Sequence, residues 1–233
     1  MVCFTESSGG GSCLILNYPF GSKHYQPFSW DAEEISLKAY SNRQKVAARG
    51  GFAVVSEHQL AHQQLSFITE SGADWQDTAA LKIYPSSAAI TRHHLVVCQL
   101  PPQAAGSASF YERTPLFAWQ REIVCSQLEW IGRWTQVLME HAAQRKVGSS
   151  TLLSVPSIRL RLGQIMQHHD LLEQCLVLDN WSAQQALTDI EGMVDALIKT
   201  AGGRAMLQHG LVEMNSLFAV LNHIYLGTSH DEF

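Results

Sequence analysis

The sequence predicts an α+β protein: a small, mostly antiparallel β domain over residues 1–115, followed by an up-and-down four-helix bundle over residues 116–233. Three observations carry this. Short apolar runs of strand length recur in the first half, each flanked by turn-prone residues. Glycine and proline thin out after about residue 115. From there the apolar residues recur at steps of three and four, the period of a helix.

In the first half the runs are Cys13–Leu16, Gly51–Val55, Leu65–Ile68, Ala80–Tyr84 and Leu95–Cys98. Pro101-Pro102 and Gly106-Ser107 mark the exit from this region. In the second half, Trp119, Ile123, Leu128, Ile131, Trp134, Val137 and Leu138 define a first helix over about 116–145. Pro156 suits the first turn of a second helix, where its missing N–H costs little. The buried face expected there is Leu160, Leu162, Ile165, Met166, Leu171, Leu172 and Cys175. Ser182 is the expected N-cap of a third helix, which Gly202-Gly203 ends. A fourth covers about 211–223. Short loops between the four favour an up-and-down bundle.

Bulk properties narrow the function classes. The 233-residue chain is long enough for one or two domains, and 46% hydrophobic residues is ordinary for a globular protein. A net charge of -5 with no basic cluster of any size argues against nucleic acid as a partner. No apolar run approaches the roughly eighteen residues of a membrane span, and no signal peptide is visible at the N-terminus. The five cysteines are odd in number and lack CxxC spacing, so reduced thiols in a cytoplasmic protein are expected. Cys125 and Cys175 fall on expected apolar helix faces and read as buried structural thiols. His93-His94 and His168-His169 are adjacent pairs; neighbours on a helix diverge, so surface or hydrogen-bonded histidines are expected and no metal site is predicted. Trp119, Trp130 and Trp134 suit the helical core or a subunit interface.

A further set of motifs resembles the acyl-CoA dehydrogenase family. Thr5-Glu6-Ser7-Ser8-Gly9-Gly10-Gly11-Ser12 is similar to that family's TEPGAGSD segment, with one extra residue. Gly51–Val55 and the stretch from Asp77 to Tyr84 resemble strands of its middle domain. Arg145-Lys146-Val147-Gly148 lies where the family has R-x-x-F-G followed by a glutamine. Gly202-Gly203 lies on its Gly-Gly, Val212-Glu213 on its V-E, and Tyr225-Leu226-Gly227-Thr228 on its Y-E-G-T. The helical half matches more specifically than the β half.

The resemblance implies FAD as cofactor, with Arg145, Thr5, Gly202, Gly203 and Thr228 at cofactor-binding positions. It implies an acyl thioester as ligand, on coenzyme A or on an acyl carrier protein, and association as a homo-oligomer or with a homologous acyl-CoA dehydrogenase subunit. Family members also carry a helical domain before the β domain; this chain begins at about the point where that domain would end, which suggests a natural short form or a part supplied by a partner.

The departures from the family fall on functional positions. Leu226 replaces the glutamate that removes the substrate α-proton, a step a carboxylate performs and leucine cannot. Gly148 and Ser149 stand for the Phe-Gly of R-x-x-F-G, Pro156 for the glutamine, and Leu217-Phe218 for an Arg-Asp pair. Some members carry the base on the first bundle helix instead, so Glu122 is either a relocated base or a solvated helix-face carboxylate. The expected protein is therefore a degenerate subunit that binds FAD weakly or not at all on its own. The alternatives are a non-catalytic scaffolding subunit and a non-redox enzyme reusing the acyl pocket.

Overall fold

The computed structural model describes residues 45–61, 65–69, 74–85, 90–91, 94–102, 115–206 and 211–227. The expected strand at 13–16, the segment containing Thr5, His93 and Thr228 lie outside the described residues. All described residues belong to the unit 31–233.

Among the described residues, six strands precede the long helices: β1 (Lys45–Ala47), β2 (Phe52–Ser56), β3 (Ser66–Ile68), β4 (Asp74–Trp75), β5 (Lys82–Tyr84) and β6 (Leu95–Gln99). They form two three-stranded sheets, ordered β1-β3-β4 and β2-β6-β5. β2 runs antiparallel to β6 from Phe52↔Gln99 to Ser56↔Leu95. β5–β6 and β3–β4 are also antiparallel, whereas β1 and β3 pair parallel, Val46 beside Phe67. The parallel pair is possible because β2 and the short helix α1 (Glu57–Ala61) intervene and give the chain length to cross over.

α1 starts at a capping box. Gln59 N donates to Ser56 Oγ at 3.1 Å, and Ser56 N donates back to Gln59 Oε1 at 3.0 Å. The inward residues Ala53, Val54, Val55, Phe67, Leu95 and Cys98 form the core of the strand region.

Four longer helices follow: α2 (Pro115–Gln144), α3 (Pro156–Val177), α4 (Ala183–Ala201) and α5 (Leu211–Tyr225). A small hairpin, β7 (Lys146–Val147) and β8 (Ser150–Thr151), joins α2 to α3. α2 packs on α3, α4 and α5, α3 on α4, and α4 on α5. Pro156 occupies the first turn of α3. Ser182 caps α4, its side chain accepting Gln185 N–H at 3.2 Å. Gly202 ends α4 at φ +57, where a side chain would be strained.

Two expectations about helix faces need correction. α3 buries Leu162, Ile165, His169, Leu172 and Leu176, in strict steps of three and four. Leu160 and Leu171, assigned to that face from sequence, are exposed, and Cys175 is half-buried. Cys125 is also exposed, because the buried stripe of α2 runs through Ile123, Val124, Gln127, Leu128 and Ile131 on the opposite side. Trp119 and Trp130 are buried, as expected of helical core, and Trp134 is half-buried.

Candidate functional site

The end of α5 is where helices and strands meet. Tyr225 is fully buried. Its phenol oxygen accepts Val54 N–H of β2 at 2.9 Å and donates to Ala47 O of β1 at 3.2 Å. One hydroxyl thus ties the two sheets to the last helix. Burial holds the phenol pKa well above its ordinary value. Asn222 O stops the helix, accepting Leu226 N–H at 2.8 Å and Gly227 N–H at 2.7 Å. A Cβ at Gly227 would meet His223 O at 3.1 Å, so this turn favours glycine. Leu226 points into the core at 1% exposure.

α2 closes the other side of this turn. Gln120 Nε2 donates to Tyr225 O at 2.5 Å, and Gln127 Nε2 donates to Asn222 Oδ1 at 2.7 Å between two buried side chains. Trp130 meets Phe218 edge-on, ring centroids 6.4 Å apart. Leu217 and Phe218, at the positions of the family's Arg-Asp pair, are both buried.

Of the sequence-derived site residues that are described, Glu122, Arg145, Gly202 and Gly203 do not converge here. Glu122 is half-buried and shares a flank of α2 with exposed Cys125, Glu129 and Arg133, away from the stripe that meets α5. The Cys125 thiol on that flank is pushed up chiefly by partial burial; Arg121 opposes this, and Glu122 and Glu173 add smaller upward pushes. Arg145 is exposed just beyond the far end of α2, about 35 Å along the helix from Gln120. Its backbone carbonyl accepts Leu152 N–H at 2.7 Å, across the β7–β8 hairpin. The hairpin turn explains Gly148: its φ is +64, a conformation that disfavours the phenylalanine expected from the resemblance. Gly202 and Gly203 are exposed at the end of α5 opposite Leu226, and a Cβ at either would meet open space.

The sequence did not flag Gln120, Gln127 or Asn222. The alternation of polar residues within apolar helix stretches was the available signal, and a buried glutamine on α2 cannot be told from an exposed one until its partner helix is placed. Of the histidine pairs, His168 and His94 are exposed, the latter 3.3 Å from Glu57, while His169 is buried and hydrogen-bonded.

No family model matches the sequence, and no curated protein matches it. Solved structures do resemble the fold. FkbI, for biosynthesis of the methoxymalonyl extender unit of the Fk520 polyketide immunosuppressant, is similar at TM-score 0.52 and 14% identity over 82% of this chain and 65% of its own. An FAD-dependent dehydrogenase gives TM-score 0.52 and 14% identity over 79% of this chain and 61% of its own. Glutaryl-coenzyme A dehydrogenase in its glutaryl-CoA complex gives TM-score 0.52 and 7% identity over 79% of this chain and 58% of its own. The chain thus spans less than two thirds of the length of each of these three structures. These likenesses establish an acyl-CoA dehydrogenase-like α+β fold.

Proposed function

We propose that this chain binds an acyl thioester, carried by coenzyme A or by an acyl carrier protein, as a degenerate acyl-CoA dehydrogenase-like subunit without a flavin site of its own. The observation that carries the proposal is the buried Leu226 in the Asn222-capped turn after α5. The resemblance puts the catalytic glutamate in that turn, and an apolar side chain there removes no proton.

Three other features support it. Leu217 and Phe218 fill the core where an Arg-Asp pair would stand. Pro156, at the glutamine position, sits at the first turn of α3, and its side chain offers no hydrogen-bond donor. Gly148 serves a hairpin turn. Positions that share one task in the family thus serve packing or backbone shape here. Arg145 and Gly202-Gly203, exposed away from Leu226, are placed in this reading on a surface that meets a second copy or a homologous subunit. Glu122 as a relocated base would have to act from the outward flank of α2, so the proposal assigns it no proton transfer. The structure with bound glutaryl-CoA makes a thioester the natural first ligand to try.

Calorimetric titration of the purified chain with a series of acyl-CoAs, free coenzyme A and an acyl carrier protein tests this. Binding that strengthens with the acyl group, without dehydrogenation, is the expected result. No binding of any thioester would refute it.

A further inference from the structure

The interface between α2 and α3 carries a feature that the acyl-thioester reading does not use. The two helices run antiparallel, with Arg121 donating to Leu176 O at 3.0 Å near one end. Further along, His169 of α3 reaches across to α2. Its Nε2 lies 3.0 Å from Leu128 O. A carbonyl only accepts, so Nε2 carries the proton and donates. Gly132 makes room for the ring: a Cβ there would meet His169 Nε2 at 3.2 Å.

Fixing the proton on Nε2 has a consequence at Nδ1. In the neutral ring that nitrogen presents a lone pair. It is buried and makes no hydrogen bond, and the whole side chain is 9% exposed. It faces two carboxylates, with Asp170 Oδ1 at 3.7 Å and Glu173 Oε2 at 3.8 Å. The three ligand atoms all lie within 4.8 Å of one another. These separations are too long for hydrogen bonds. They are near the edge of about 3.4 Å that joins two ligands of a tetrahedral zinc ion.

We infer that His169 Nδ1, Asp170 and Glu173 form a site for a divalent transition-metal cation, Zn²⁺ foremost. The donor set fits: one imidazole nitrogen and two carboxylate oxygens suit zinc, and an imidazole is a poor ligand for Mg²⁺. The hydrogen bond from Nε2–H to a backbone carbonyl is the outer contact that orients a metal-bound histidine. The neighbouring His168 is exposed and lies 3.9 Å from Asp189 of α4, so it is not one of the three ligands. The site uses one histidine with carboxylates one and four positions on. Asp170 and Glu173 have side chains 40% and 59% exposed, so the ion has a path from solvent and keeps room for water or an anionic group. Bound there, it would brace α3 against α2 through His169.

Calorimetric titration of the chelator-treated full chain with Zn²⁺ tests the inference, alongside Glu173→Gln, Asp170→Asn and the control His168→Gln, each checked for folding by circular dichroism. One equivalent of Zn²⁺ is expected to bind, with affinity reduced roughly tenfold or more in both carboxamide variants and unchanged in His168→Gln. Excess Mg²⁺ is expected not to compete. Absence of Zn²⁺ binding by the unaltered chain, or an affinity in both carboxamide variants unchanged from that of the unaltered chain, would overturn it.

Discussion

Tyr225 and Val54 are 171 residues apart in sequence, and the phenol oxygen of one accepts the amide N–H of the other at 2.9 Å. The same hydroxyl donates to Ala47 O. The contact joins the last helix to both sheets and fixes the turn that holds Leu226. Tyr225→Phe leaves a buried amide and a buried carbonyl without this partner, at a cost of about 1–3 kcal/mol. Urea unfolding of the variant is expected to show a lower midpoint with an unchanged slope.

Alkaline pH reports on the same core. Burial pushes the Cys98 thiol up to about 12 from an ordinary value of 9.0, and it also raises the Tyr225 phenol. In the unfolded chain both groups release their protons at lower pH, so unfolding takes up hydroxide and stability falls as pH rises. The contribution of Cys98 is fully present below about pH 9 and is lost as pH climbs toward 12. Cys98→Ala is expected to flatten the decline in unfolding midpoint over that window, and a wild-type midpoint independent of pH there would contradict the assignment.

Leu226→Glu does not rebuild a dehydrogenase on this account. The side chain would enter a core position of 1% exposure with no cationic partner in the described contacts of the turn. An uncompensated buried charge costs about 3–5 kcal/mol. The expected outcome is a large drop in melting temperature and no oxidation of acyl-CoA, read by thermal unfolding and a dye-coupled assay.

Gly202 and Gly203 separate backbone need from surface contact. Gly202→Ala places a side chain at φ +57 and ψ -133, outside the ordinary left-handed region, and is expected to cost roughly 1–3 kcal/mol. Gly203→Ala meets open space within the chain and is expected to fall within about 0.5 kcal/mol of wild type. If Gly203 faces a partner, as proposed, the variant weakens association in analytical ultracentrifugation while leaving the unfolding midpoint alone.

The parts legible in sequence were those with local causes. Pro156, Ser182 and Gly202 marked helix ends because caps and φ constraints act within one turn. β2 and β6 stood out as apolar runs between turns. The phase of α3 was misjudged because Leu160 and Leu171 are apolar yet exposed, while the buried position 169 carries a histidine whose partner, Leu128 O, lies on another helix. The parallel pairing of β1 with β3 and the reach of Tyr225 to Val54 depend on the whole chain's path, which no window of sequence contains. At the candidate site, Leu226 was identified by resemblance, whereas the Gln120, Gln127 and Asn222 contacts around it required the helices to be placed.

The central claim, a fold kept without its flavin chemistry, is tested most directly by the visible absorbance spectrum of the purified chain. The account predicts a colourless, folded protein that stays colourless after incubation with FAD and desalting. A flavin spectrum at near-stoichiometric amounts would contradict it and would return Glu122 to consideration as the base.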